Sequence, residues 1–177
     1  MTPGKRWTGR EGTKSCGIGG GILPPGKGET IVEKAKALAS DMGVDILLMD
    51  ADMVFGKVHI ETAIEHADRA FERGSNVAGT RMMEVMLYAS GERQLSAAIE
   101  KMGVGRGTRR LAVVVSDSKR LVEVMRALGA KRDDGVLDGR FENLAKFGIS
   151  RQAVQSVGKE KAMELVLERV AFVDILK

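Results

Sequence analysis

Disulfides, membrane spans and aromatic platforms are all scarce or missing in this 177-residue chain. Its one cysteine, Cys16, cannot pair within the chain, so no internal disulfide holds the fold and the composition fits a reducing cytoplasm. No stretch approaches the roughly 18 consecutive apolar residues that span a bilayer. The basic N-terminus is not followed by an apolar segment, so it does not read as a secretory leader. Aromatics are few, at one Trp, one Tyr and five Phe. A stacking platform for single-stranded nucleic acid draws on exposed aromatic rings, and the sequence offers little material for one.

What is present is an ordinary globular balance, 44% hydrophobic and 29% charged, long enough for one domain with its own core. A net charge of +4 and a pI near 9.3 permit a polyanionic partner without requiring one. Ten methionines and many alanines stand in for the missing aromatics, which points to closely packed helices. Glycine is in excess at 22 residues, and nine of these fall in residues 1–28.

Residues 1–13 read as a mobile tail ahead of one domain over 14–177. Ser15 to Ile22 is at best a poor strand, weakened by Gly19-Gly20-Gly21. Pro24-Pro25-Gly26 marks a turn, and Ile31 to Met42 a helix stopped by Gly43. Asp45 to Val54 holds a buried strand ending in an acidic turn. Val58 to Arg73 is the clearest helix. Met82 to Ala89 alternates in the manner of a strand, with Val85, Leu87 and Ala89 opposite Glu84, Met86 and Tyr88. A helix over Glu92 to Met102 and a strand over Leu111 to Val115 follow. Ser116-Asp117-Ser118 then caps a helix to Leu128. Further on come a short element near Phe141 to Phe147, a cap at Ser150, a helix from about Lys159 to Val170, and a closing strand over Ala171 to Leu176. Alternation of strands and helices makes the class α/β, with a central mixed β-sheet packed by helices.

Four motifs carry chemistry on paper. Gly21-Ile22-Leu23-Pro24-Pro25-Gly26-Lys27 has the spacing of a phosphate-binding loop. Gly28 stands where a metal-binding hydroxyl belongs, and two prolines remove N–H groups that would cradle phosphate, so a turn is the better reading. On the helix from Val58, Glu61, Glu65, Asp68 and Glu72 gather on one side of the apolar stripe. His59, Thr62, His66, Arg69 and Arg73 gather on the other. An ordinary solvated helix accounts for the pattern as well as a binding face does. Ser90-Gly91-Glu92-Arg93-Gln94 lies at a strand-to-helix junction, where free N–H groups and Arg93 suit an anion; on spacing alone a simple cap is the stronger reading. Gly105-Arg106-Gly107-Thr108-Arg109-Arg110 is a basic loop suited to phosphate or merely to solvent. His59 and His66 lie too far apart for a metal pair. No motif supplies paired acid and base, an activated nucleophile, a metal cluster or a cofactor site.

The segments Ile46 to Val54 (ILLMDADMV), His59, Met83 to Leu95 (MEVMLYASGERQL), Ala98-Ile99 and Met102-Gly103 resemble one known family. It is the smallest core subunit of the KEOPS (EKC) complex in its archaeal form, with the eukaryotic PRPK-binding protein as a relative. Lys131 to Leu137 and Leu167 to Ala171 are similar to later stretches of that family. The Met83 to Gln94 segment is the specific part, and residues 1–13 and Gly19 to Gly21 depart from the pattern. The resemblance implies a non-catalytic, cytoplasmic, membrane-free subunit that docks on a small atypical kinase/ATPase and stimulates it. It also implies recruitment of tRNA through the single-stranded 3′ CCA end, in a complex that makes threonylcarbamoyladenosine by chemistry on another subunit. On that basis Arg93, Gln94 and Ser90 are expected at the tRNA site, with Lys57, His59 and Arg73 as further contacts. The exposed end of the Glu92 to Met102 helix, with Ile99, Lys101 and Met102, is expected to meet the kinase. The rival expectation is an interaction module that binds the kinase and no RNA, which the low aromatic content favours.

Overall fold

The computed structural model describes residues 15–158 and 161–176; the tail expected over residues 1–13 lies outside the described residues. A four-stranded sheet in the order β2-β3-β1-β4 forms the centre. Its strands are β1 (Gly17–Ile22), β2 (Ile46–Asp50), β3 (Arg110–Val115) and the two-residue β4 (Lys131–Arg132). The α/β class is as expected, and each described pairing is antiparallel, which narrows the mixed sheet read from the sequence.

β3 supplies the apolar, β-branched run that holds the sheet, with Leu111 to Val115 each fully buried. Its side chains alternate between two cores. Ala112 and Val114 join Leu47, Met49 and Ile18 on one face, while Leu111, Val113 and Val115 join Leu48 on the other. The second face is covered by α1 (Ile31–Met42) and α5 (Leu121–Leu128). The first carries a thicker layer of α2 (Lys57–Arg73), α3 (Arg81–Ser90), α4 (Leu95–Met102) and α7 (Ala162–Leu176). The short α6 (Arg151–Val157) begins at Ser150, whose hydroxyl accepts the Ala153 N–H at 3.1 Å, as its sequence signal implied.

β1 shows why a glycine-rich segment can be a full central strand. A Cβ on Gly17 would lie 2.9 Å from Leu121 Cβ, and one on Gly21 2.9 Å from Met125 Cε. Both distances are shorter than a real contact, so the missing side chains are what lets α5 lie directly on the strand. The intrinsic cost of glycine in a strand is offset by this close packing.

Two elements differ in type from the sequence reading. Residues 81–90 form α3, a helix and not a strand. Eight of its ten residues are buried, so packing on nearly every side leaves no solvent stripe to reveal the 3.6-residue period. Its ends were legible: the Thr80 hydroxyl accepts the Met83 N–H at 3.3 Å, and Gly91 closes the helix in the left-handed region at φ 69°. Residues 171–176 are likewise helical, because Val166, Val170 and Val173 continue one buried face to the end of α7. The helix expected from Glu92 begins only at Leu95.

Candidate functional site

The α3–α4 elbow is built from backbone satisfaction outward. Gly91 at φ 69° sends its N–H back to the Tyr88 carbonyl at 3.0 Å, and Ser90 Oγ donates to the Leu87 carbonyl at 2.8 Å. The same hydroxyl accepts the Glu92 N–H at 3.3 Å, which turns the chain without exposing a polar group. The junction joins two helices, in place of the strand-to-helix step read from the sequence.

His59 braces the elbow from below. Its Nδ1 accepts the Phe55 N–H at 3.2 Å, so Nε2 carries the proton and donates to the Ala89 carbonyl at 2.8 Å. Full burial pushes its pKa down to about 4, against the Ala89 bond that favours the charged form, and the ring is neutral at pH 7. Phe147 packs edge-on to it with centroids 5.8 Å apart. Above Phe147, at 4.1 Å from its centroid, sits the ammonium of Lys101. That ammonium donates to the Ser90 carbonyl at 2.6 Å and to Glu92 Oε1 at 3.0 Å, stapling α4 to the end of α3.

A cleft of about 300 Å³ opens over this staple, lined by Glu92, Lys101, Lys146, Phe147, Arg169 and Phe172 among others. Three cations and one carboxylate give it a positive balance, and the half-exposed Phe172 ring stands at its rim. α7, which carries Arg169 and Phe172, is fixed through Asp174. That carboxylate accepts the Tyr88 hydroxyl and pairs with His66 Nδ1 at 2.7 Å. Burial first, and then Asp174, hold the Tyr88 hydroxyl above its usual range. On the far side of α3, Arg81 grips Asp68 through two nitrogens and reaches Cys16 Sγ at 3.0 Å. Glu84, fully buried, accepts the N–H groups of Val77 at 3.0 Å and Ala78 at 2.7 Å.

The residues singled out from the sequence scatter around this centre. Arg93 and Gln94 are exposed on the elbow turn beside the cleft, outside the set that lines it, whereas Ser90 lies buried in its wall. His59 is fully buried with both nitrogens bonded, so its ring offers nothing to a surface ligand and its place among the RNA contacts is corrected. Lys57 and Arg73 occupy opposite ends of α2, about 24 Å apart at 1.5 Å per residue, and cannot serve one small site. Lys57 pairs loosely with Glu61 at 3.8 Å and faces a different cavity, of about 620 Å³, in which Lys57 and Arg132 are matched by Glu61 and Glu65. For the expected kinase contacts, Ile99 is exposed, Lys101 is committed to the cleft, and Met102 is wholly in the core and unavailable to a partner.

The other motifs resolve as structure. Gly28 packs against the Gly105 carbonyl, and the Pro24-Pro25 turn leads into a single 3-10 turn over Lys27–Glu29. α1 starts only at Ile31, so the α-helix N-terminus that a phosphate loop requires does not follow it directly. In the basic loop, Arg109 Nε bonds the Leu23 carbonyl at 2.9 Å and Arg110 bonds Asp52 at 2.7 Å, leaving Arg106 exposed. Among the described residues no group of three or more His, Cys, Asp or Glu could hold a metal, and no helix is long and apolar enough to cross a membrane. Sequence reasoning missed Lys146, Phe147, Arg169 and Phe172 as site residues. They lie more than 50 residues beyond the elbow, and no local spacing links them to it.

Fold and cleft together define an α/β scaffold with a basic, aromatic-lined groove at a helix–helix elbow. The chain belongs to the kinase-binding protein CGI-121 family, whose model matches residues 29–148. It is also similar to the regulatory protein Cgi121 of Methanocaldococcus jannaschii, 27% identical over 137 residues that cover 77% of this chain and 88% of that protein.

Proposed function

We propose that this chain is a non-catalytic regulatory subunit that binds a small atypical kinase/ATPase and holds the 3′ CCA end of tRNA in the elbow cleft. In this reading it serves the cytoplasmic KEOPS complex that makes threonylcarbamoyladenosine, and another subunit does the chemistry. Membership of a kinase-binding family and likeness to a protein named as regulatory support the first half. The observation that carries the second is the cleft itself, lined by Lys101, Lys146 and Arg169 together with Phe147 and Phe172.

Single-stranded RNA is gripped by cations on its phosphates and by π-faces under its splayed bases. Lys146 and Arg169 offer the first, and Phe172 at the rim offers the second. A duplex is far too wide for a cleft of about 300 Å³, so only an unpaired end enters. Arg93 and Gln94, exposed beside it, then meet the next nucleotide along the strand. Low aromatic content counted against RNA when read as a total, yet one ring at the right place is sufficient for one base. In this reading the kinase docks on the outer edge of α4, where exposed Ile99 stands beside exposed Ser96 and Glu100.

Titration of fluorescent tRNA with wild type and with Arg169→Ala tests the reading. About tenfold weaker binding is expected, for loss of one partly desolvated phosphate contact. Equal affinities would remove the cleft from the RNA site. Binding of the kinase with no binding of tRNA at low salt would leave a pure interaction module.

A further inference from the structure

Of the three cations in the cleft, Lys101 alone is paired with a carboxylate among the described residues. Among the described residues Arg169 donates to the Gly148 carbonyl at 3.4 Å, and neither Arg169 nor Lys146 makes an ion pair. Glu92 thus holds one anionic oxygen, Oε1, at 3.0 Å from the ammonium, in the place a phosphate oxygen of bound RNA would take. The pair is also poised to part. The Glu92 side chain is 35% exposed and projects from a turn, while that of Lys101 is 14% exposed. Lys101 keeps its position without Glu92, because the Ser90 carbonyl at 2.6 Å and the Phe147 ring hold it independently.

Resting on the reading that the cleft binds RNA, we infer that Glu92 is an internal phosphate mimic. It occupies Lys101 in the free protein and is displaced by a backbone phosphate of the incoming strand. The carboxylate lowers affinity for any anion and raises selectivity. A lone phosphate or a stray polyanion must displace Glu92 for one contact, whereas a 3′ end repays the displacement with base stacking and further phosphate contacts. The electrostatics has a signature in salt. In the wild type, Lys101 exchanges one anion for another and the freed Glu92 recruits a cation, so this contact releases almost no net counterions. Without Glu92, the same contact releases them in full.

The test uses the full chain and a short fluorescein-labelled RNA ending in CCA, titrated at several salt concentrations. Glu92→Gln is expected to bind about threefold to tenfold more tightly, with a log–log salt slope steeper by about 0.7. Glu100→Gln, the same charge change on the exposed side of α4 and outside the cleft lining, is expected to change affinity by less than about twofold. In a Lys101→Met background the gain from Glu92→Gln is expected to vanish, as coupling between the two side chains demands. Should the wild type bind RNA while Glu92→Gln matches it, or matches Glu100→Gln, the mimic is overturned and the cleft reading stands. Should none of the proteins bind, both fall.

Discussion

The two faces of the sheet are built by different rules. Against α1 and α5 the packed cluster is made of apolar side chains, and β1 presents glycines so that α5 can lie on the strand. The face under α2, α3, α4 and α7 buries His59, Glu84 and Ser90, and ties its helices together with Arg81–Asp68 and Tyr88–Asp174–His66. A close-packed apolar face gains stability from burial of apolar surface and close shape fit. A face with buried polar groups must satisfy each of them, which fixes helix positions to within a hydrogen bond. The elbow cleft, the proposed site, sits on the polar face, where backbone and side-chain bonds fix its geometry.

The largest expected effect breaks the dry face alone. Gly17→Val drives a side chain into Leu121 and the Ser118 backbone, and about 3 kcal/mol of unfolding free energy should be lost by urea denaturation. RNA affinity of the folded fraction should hold, since α5 touches nothing in the cleft; a parallel loss of RNA binding would merge the two faces.

Next comes a titration specific to the polar face. His59 binds a proton near pH 6.5 when unfolded but only near pH 4 when folded, so the unfolded chain holds more protons between these values. The stability contributed by neutral His59 is complete above pH 6.5 and is lost as pH falls toward 4. The loss at pH 5 is about 2 kcal/mol relative to pH 7.5, and His59→Leu should flatten that part of the curve. An unchanged pH profile in His59→Leu would remove His59 as the titrating group.

Smaller effects sharpen the division of labour on the polar face. Ile99→Asp should weaken kinase binding by about tenfold, read by calorimetry, with tRNA affinity unaltered. A loss of both would place the kinase and the RNA on one surface. The smallest effect is expected on the dry side: Val122, exposed on α5, should tolerate Ser within about 0.5 kcal/mol and leave both partners bound.

The same contrast governs what could be read from the sequence. α1 and α5 were legible because each shows one face to water and ends at a glycine, Gly43 or Gly129, and β2 and β3 because each is a short continuous apolar run, buried on both faces. α3 was not, because a helix buried on nearly every side carries no period, and Tyr88 and Val85 looked like opposite faces of a strand. β1 was undervalued because glycine's fitness depends on α5, more than 100 residues away. For the site, Ser90 to Gln94 marked the right place in the chain. Which side chains turn inward was decided by the left-handed Gly91, which puts Glu92 in the cleft and Arg93 outside it. Lys146, Arg169 and Phe172 reach the cleft only through tertiary packing, so no spacing could announce them. His59 was read as an exposed flank because helix geometry gives its angle but not what Phe55 and Phe147 place over it.

The central claim is that the elbow cleft takes the unpaired 3′ end of tRNA. Wild-type protein titrated against the same tRNA with and without its CCA end, at low and at physiological salt, tests it directly. The account predicts a loss of about tenfold or more on removing CCA, and weaker binding of both forms as salt rises. Equal affinity for the two tRNAs would contradict it.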